Sequence, residues 1–522
     1  MGVYLLHHLL TRSAEKHPDR TALIHGERTL TYAELDQQSG RLATLLVQTG
    51  VRPGDRVGIL VKKSPESVVA IFGILKAGGV YVPLDPQAPP QRQGLVLSGC
   101  DISVLVVSSA LAGQLLAMPE GGAGVKSAVL TDGSLPKETP WRTLAWEEVA
   151  LAPEAPPVEI SDTRPAYILH TSGSTGVPKG VTISHSNALA FVDMAADFFD
   201  VGVDDRVAGH APFHFDLSVF DLFTAVRNGA TLVLVPENLG PFPARLTQFI
   251  ETSGITIWNS VASVVALMAE RGNLGDRNFD ALRLVLFSGD VLPVKHLRRV
   301  REMMPKTDVY NLYGQTEANS STFYQVGEIP DDECWKIPIG RPFPNFEVFA
   351  LNEKGEAVRR PGEIGELHVC SATVALVYWR DTEKTATSFV ENPLRPWPGR
   401  VYRTGDLVTF DEDGNLLILG RRDRQVKSRG YRIQIDEIDL VLNSHPEVRE
   451  ATVVDISDEV LGSRILAFVQ AGNLSGLDLL DFCSRSLPPY MLPETIHFLE
   501  EFPRTATGKV DRNVLRTMKV GM

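Results

Sequence analysis

Cysteine is nearly missing from this chain. Four are spread through 522 residues, Cys100, Cys334, Cys370 and Cys483. No two form a C-x-x-C pair, which argues against a local zinc site and against a disulfide framework. A reducing, cytoplasmic compartment is the expectation. Long apolar runs are missing as well, since Lys76 cuts the most apolar stretch after Val68 to Leu75, far short of the roughly 18 residues of a membrane-spanning helix. The first residues read without a basic leader or a small-residue cleavage site, and Leu6 stands where a myristoylation signal wants Ser or Thr. His7 and His8 read as part of an amphipathic helix rather than as metal ligands. Positive charge is not in excess either. With a formal net charge of −13, no broad attraction to nucleic acid or anionic lipid is expected, and any anionic ligand must be held by a local basic patch. Apolar residues are plentiful: 43% hydrophobic content is ample for large cores, and the length suggests roughly two to four folding units.

Short β-rich runs alternate with helix-like segments: Arg56 to Val61 then Pro65 to Ala77, Thr231 to Val235 then Ala244 to Thr252, Leu284 to Phe287 then Val294 to Met304. This alternation predicts parallel α/β sheets. After about residue 340 the runs Glu347 to Leu351, Ile364 to Val369, Leu407 to Phe410 and Leu416 to Leu419 predict shorter strands and a β-rich subdomain. A charged segment, Gly420 to Arg432, then precedes a predicted helix (Asp436 to His445) and two strands (Ala451 to Asp455, Ile465 to Gln470). The tail can form a small α/β domain of its own, with the charged segment as linker, hinge or solvated basic loop.

Residues 171 to 180 carry the most chemistry. Gly173, Gly176 and Gly180 let the backbone turn sharply and bring N–H groups close to an anion. Thr171, Ser172, Ser174 and Thr175 add hydroxyls, and Lys179 adds charge. That composition predicts a grip for the phosphates of a nucleotide; the bland reading is a solvated turn. It is not a Walker loop, because Pro178 stands where the second glycine should be and Gly180 follows the lysine. Strands are predicted on both sides (Ala166 to Leu169, Val181 to Ile183), with a helix only near Ser186.

Three further clusters fit ATP-dependent carboxylate activation. Asn311 to Glu317, Asn-Leu-Tyr-Gly-Gln-Thr-Glu, offers a ring for a purine, a hydroxyl, and a carboxylate for Mg²⁺. Tyr402 to Leu407 contains Asp406, a candidate acceptor for ribose hydroxyls, and Pro503 to Arg512 places Lys509 on a Gly-containing turn; taken singly, Tyr313 also reads as core, Asp406 as a turn former and Lys509 as a solvated side chain.

In this order and spacing, from Leu30-Thr-Tyr-Ala-Glu-Leu through Leu75-Lys-Ala-Gly-Gly-Val-Tyr-Val-Pro-Leu-Asp-Pro to the Lys509 turn, the motifs resemble the AMP-forming adenylation superfamily, most closely the amino-acid adenylation domains of nonribosomal peptide synthesis. The resemblance implies an α/β core over 1–420, a small mobile C-terminal domain over 424–522, and a hinge at Asp423. It further implies that Lys509 binds the carboxylate and bridging oxygens, Thr316 the α-phosphate, Glu317 the Mg²⁺, and Thr171 with its loop the β- and γ-phosphates of ATP. Asp406 would hold the ribose with Arg421 nearby, while Gly289, Asn311, Leu312, Tyr313 and Gly314 frame the adenine. Gln315 replaces the commoner proline of its motif, and no chemistry is attached to that position.

Asp216 matches the aspartate that pairs with the substrate α-ammonium in amino-acid-activating relatives, and Phe215 the gate of the thiol tunnel. The side-chain pocket implied by the resemblance is Asp216, Leu217, Phe220, Asn259, Leu286, Ser288, Leu312, Ser320 and Ser321. Its bulky walls with a few hydroxyls and one amide predict a short side chain: alanine, serine, cysteine or glycine. Only thirteen residues follow Lys509, so the acceptor is expected to be the phosphopantetheine thiol of a separate carrier protein. An acyl-CoA ligase for a small carboxylic acid is the alternative.

Overall fold

The computed structural model describes residues 2–118, 121–173, 176–332, 335–458, 462–472, 474–504 and 510–518. Apolar β-branched runs with no polar alternation, such as Val104–Val107 (Val-Leu-Val-Val), are buried on both faces, which is the condition of a strand inside a parallel sheet. Four parallel strands of this kind, with the half-exposed Arg142–Ala145 at the edge and the parallel partner Pro165–Thr171, build most of an eight-stranded sheet. Lys179–Ser184 lies as an antiparallel neighbour of Pro165–Thr171, in a register that sets Thr171 opposite Lys179, and Val377–Tyr378 pairs with its outer side as the edge strand.

A nine-stranded sheet forms the second layer. Its central strands, including Arg206–Gly209, Ile257–Val261, Leu284–Ser288 and Asp308–Gln315, are parallel, and Asn319–Gln325 turns back antiparallel at one side. Between the layers lies the helix Pro65–Lys76, buried at every position but Glu66. Ser64 caps it by accepting from the Ser67 N–H, and proline opens its first turn. A helix apolar all round has no solvent face to offer, so it becomes core. Its residues join those of both sheets in one apolar cluster with Val57, Ile59, Leu232 and Ile257.

The expected β-rich region is a six-stranded antiparallel sheet, from Phe346–Leu351 to Leu416–Arg421. The charged segment differs from its reading as linker or loop. Gln425–Ser428 and Tyr431–Gln434 form a two-stranded hairpin whose turn residues, Arg429 and Gly430, both have positive φ (53° and 80°). Two such residues are what a tight type I′ connection needs. Beyond it, a three-stranded sheet of Val448–Asp458, Gly462–Ala471 and Thr495–Phe498 packs with the helices Ile435–Asn443 and Gly476–Ser484 around Ile438, Leu442, Val453, Ala467 and Leu479. Among the described residues no helix is long and apolar enough to cross a membrane.

Several histidines are buried in the neutral form. Burial pushes His170 and His185 down to about 4 and His210 to about 3, and both ring nitrogens of His7 lack a partner among the described residues. Their folded values lie below the unfolded one, so their contribution is complete above about pH 6.5 and is lost as pH falls toward 4. The melting temperature should therefore drop between pH 7 and pH 5, and His7→Leu should flatten that dependence when both proteins are followed by thermal denaturation.

Candidate active site

The central cleft opens at the carboxyl ends of the parallel strands of the nine-stranded sheet, where ligands bind in open α/β folds. The Thr171 loop, the residues after Leu284–Ser288 and Asp308–Gln315, and the 425–434 hairpin line it. The loop has the build of an anion grip. The Thr171 hydroxyl is buried without a partner among the described residues. A Cβ on Gly173 would lie 2.1 Å from the Val177 carbonyl oxygen, so only glycine lets the loop close here. Burial and the neighbouring Arg432 lower the Lys179 ammonium to about 8, a cation short of negative charge. Ser174 and Thr175 lie outside the described residues, as does Lys509.

Ser172 and Gly173 face the C-terminal region. The Ser172 hydroxyl donates to the Arg432 carbonyl (2.7 Å) and accepts from the Gln434 N–H (2.9 Å). The Gly173 N–H donates to Glu437 (3.2 Å), whose other oxygen pairs with Arg92. Gly430 fits so closely that a Cβ would sit 2.2 Å from Val261. Phe215, the expected gate, contacts Tyr431 with ring centroids 5.6 Å apart, and Tyr431 stacks on Tyr490 at 3.8 Å.

Glu317 is fully buried. One Arg432 nitrogen lies 2.9 and 2.7 Å from its two oxygens, and the Tyr378 hydroxyl donates at 2.6 Å. Burial alone would raise this carboxyl; the Arg432 charge and the Tyr378 bond outweigh it and hold it near 2. The carboxylate expected to serve Mg²⁺ thus serves an arginine of the hairpin in this arrangement. It has the charge and the hard oxygens that Mg²⁺ takes, and would hold the ion with Arg432 withdrawn.

The nucleotide residues also come together. Asp406 accepts from the Tyr313 hydroxyl (2.5 Å), the Gln315 amide (2.9 Å) and Arg421 (2.6 Å). Lys427 lies 5.5 Å from the Tyr313 ring centroid, and burial lowers its ammonium. Asn311 donates to the Pro338 carbonyl at 2.7 Å. Gly289 and Gly314 line the cleft, and Asp423 accepts from Arg421 at 2.7 Å. Gln315, which the sequence reading left without a role, therefore anchors Asp406. Arg432 and Lys427 escaped it too, because basic residues in a charged run look like solvated ones until a hairpin turns them inward.

Asp216 lines the cleft. Burial raises its carboxyl, partly offset by the Thr316 hydroxyl, which donates at 2.8 Å. Behind it a small cavity is lined by Leu217, Phe220, Asn259, Leu312 and Ser320. Ser288 lines the main cleft instead. Leu286 belongs to the central core, and the Ser321 hydroxyl is spent on the Tyr313 carbonyl at 3.3 Å.

Removing one partner of a buried ion pair strands the other, at a cost of about 3–5 kcal/mol. Arg432→Ala should relieve this by releasing the hairpin: amide exchange across 425–434 should accelerate, and Glu317→Gln in the same background should restore part of the protection.

The model of the AMP-binding enzyme family matches residues 10–379, and that of the AMP-binding enzyme C-terminal domain matches 437–509. An L-proline–[L-prolyl-carrier protein] ligase of Streptomyces coelicolor is 37% identical over 514 residues, covering 96% of this chain and 94% of the relative. A ligase of the same name from Pseudomonas fluorescens is 37% identical over 519 residues, covering 98% of each. The solved adenylation domain AlmE of Vibrio cholerae, in complex with glycyl-adenosine-5'-phosphate, superposes with a TM-score of 0.83 at 26% identity, over 99% of this chain and 98% of that one. The chain belongs to the AMP-binding enzyme family, as an AMP-forming ligase of the kind that adenylates amino acids.

Proposed function

We propose that this protein activates a small α-amino acid with ATP and passes it to the phosphopantetheine thiol of a separate carrier protein. Asp216 carries this reading. A carboxylate raised by burial, whose side-chain hydrogen bond comes from a hydroxyl, has no cation bonded to it among the described residues, and a substrate α-ammonium supplies one.

In the first half-reaction a carboxylate oxygen of the amino acid attacks the α-phosphorus of ATP. The P–O bond to the bridging oxygen breaks, and pyrophosphate leaves. Two anions must be brought into line, so the work is charge neutralisation and alignment. Thr171, Lys179 and the loop glycines hold the β- and γ-phosphates, Thr316 the α-phosphate, and Asp406 the ribose. Glu317 holds Mg²⁺, which supplies charge neutralisation on the phosphates. Lys509 reaches the carboxylate and the bridging oxygen. In the second half-reaction a thiol attacks the acyl carbon, AMP departs, and no nucleophilic side chain is required.

The division of labour requires the chain to hinge at Asp423, between 1–420 and 424–522. The observed arrangement, with Gly430 in the cleft and Arg432 on Glu317, supports its reading as the thiol-accepting state. The state that brings Lys509 in is the other one. Proline is a second reading, favoured by the names of the two relatives.

Pyrophosphate exchange into ATP across alanine, serine, cysteine, glycine and proline tests the proposal. One or more small amino acids should exchange, and Asp216→Ala should lose about a hundredfold or more in kcat/KM for it. Silence toward every amino acid, together with rapid thioester formation on free CoA from a plain carboxylic acid, would replace this reading by an acyl-CoA ligase. Undiminished exchange by Lys509→Ala would remove the lysine from the mechanism.

A further inference from the structure

Asn259 stands on the strand Ile257–Val261 and lines the side-chain cavity behind Asp216. One end of its amide meets the carboxylate of Asp221, a residue not among those lining the cavity, at 2.9 Å and, at the edge of hydrogen-bond range, the Leu217 carbonyl at 3.5 Å. With the Asp221 carboxyl ionised both are acceptors, so the amide end that meets them is the nitrogen; reversed, it would set oxygen against oxygen. The nitrogen being held from behind, the oxygen is the end left to meet a ligand.

Asp221 is built to hold it. It lies on the short π-helical turn Phe220–Thr224 and is 2% exposed. Burial raises its carboxyl to about 7, offset by the Asn259 amide and by the charge of Lys63. Lys63 is itself buried and donates to the carbonyls of Gly209 (2.8 Å) and His210 (2.6 Å). The cavity that the amide oxygen meets is otherwise mostly apolar, with Phe199, Leu217, Phe220 and Leu312 among its walls.

We propose that Asp221 is a specificity-determining positioning residue: by holding the Asn259 nitrogen it turns the amide oxygen to the cavity, and so selects an amino acid whose short side chain carries a hydrogen-bond donor. The inference rests on the amino-acid reading of the site and narrows it. A hydroxyl or thiol donates to that oxygen. A methyl group or a pyrrolidine ring covers it and leaves a buried acceptor without a partner, the kind of mismatch by which enzymes discriminate strongly.

The test is pyrophosphate exchange at about pH 8, where the Asp221 carboxyl is ionised, with serine against alanine, cysteine against 2-aminobutyrate, and proline. Each preference is taken as a ratio of kcat/KM within one preparation, which cancels the fraction of folded enzyme. The wild type should prefer the donor in at least one pair by about tenfold or more. Asp221→Ala should bring that ratio near one, while Asp221→Asn, which keeps an acceptor oxygen, should retain most of it. Asn259→Ala, which deletes the amide itself, should collapse the ratio in the same way, so the proposal is tested even where Asp221→Ala does not fold. Exchange that favours alanine, 2-aminobutyrate or proline overturns the inference and leaves the proposed function standing, as does an unchanged ratio in Asp221→Ala or Asn259→Ala. Exchange with no amino acid overturns both.

Discussion

A carboxylate removed from water must find a cation, and Glu317 finds Arg432. Around this ion pair the C-terminal hairpin is seated: Ser172 pins its backbone, Gly430 fills the gap beside Val261, and Glu437 ties the next helix to Gly173 and Arg92. With Glu317 buried and alone, its uncompensated charge would weigh against this seating by about 3–5 kcal/mol. The same two oxygens are the ones a metal ion would need. On the proposed role of Glu317, Arg432 and Mg²⁺ would be rivals for one site, and that rivalry would couple the nucleotide to the position of the hairpin.

The cleft keeps its charged groups poised against one another. Asp406 is shared by Arg421, Tyr313 and Gln315, Lys427 hangs over the Tyr313 ring, and Lys179 and Asp216 are both held away from their ordinary proton affinities by burial. Groups in such a state gain most from a ligand of opposite charge. In the proposed function an amino acid would bring an ammonium to Asp216, and a triphosphate anions to Lys179. Side-chain choice is a separate matter, which our proposal gives to one amide and the carboxylate behind it.

Much of the fold was legible because local pattern and final structure agree. Thr231 to Val235 and Leu284 to Phe287 read as strands and form strands of the nine-stranded sheet; Pro65 to Ala77 reads as a helix and forms the central one. Pairing order was not legible, since hydrogen bonds between Asp308–Gln315 and Leu284–Ser288 join strands whose sequences say nothing of each other. The 425–434 hairpin was misread for the opposite reason. Its turn residues Arg429 and Gly430 were visible, but charge on both arms conceals that one arginine points at a buried glutamate some 115 positions away.

The sequence by itself determined the chemistry on offer: a glycine and hydroxyl loop and a threonine and glutamate after a tyrosine, legible because such side chains fall at short spacing, and an aspartate whose role only the family resemblance implied. Only the tertiary structure decided which of them are free to act. Gln315 bonds Asp406, Asp221 holds Asn259, and Arg432 holds Glu317. The Gln315 and Arg432 partners stand some 90 and 115 positions off in the chain, while Asp221 and Asn259, 38 apart, sit on different elements. Contacts of that kind are fixed by how sheets and hairpin pack, a property of burial and geometry that no short stretch of residues contains.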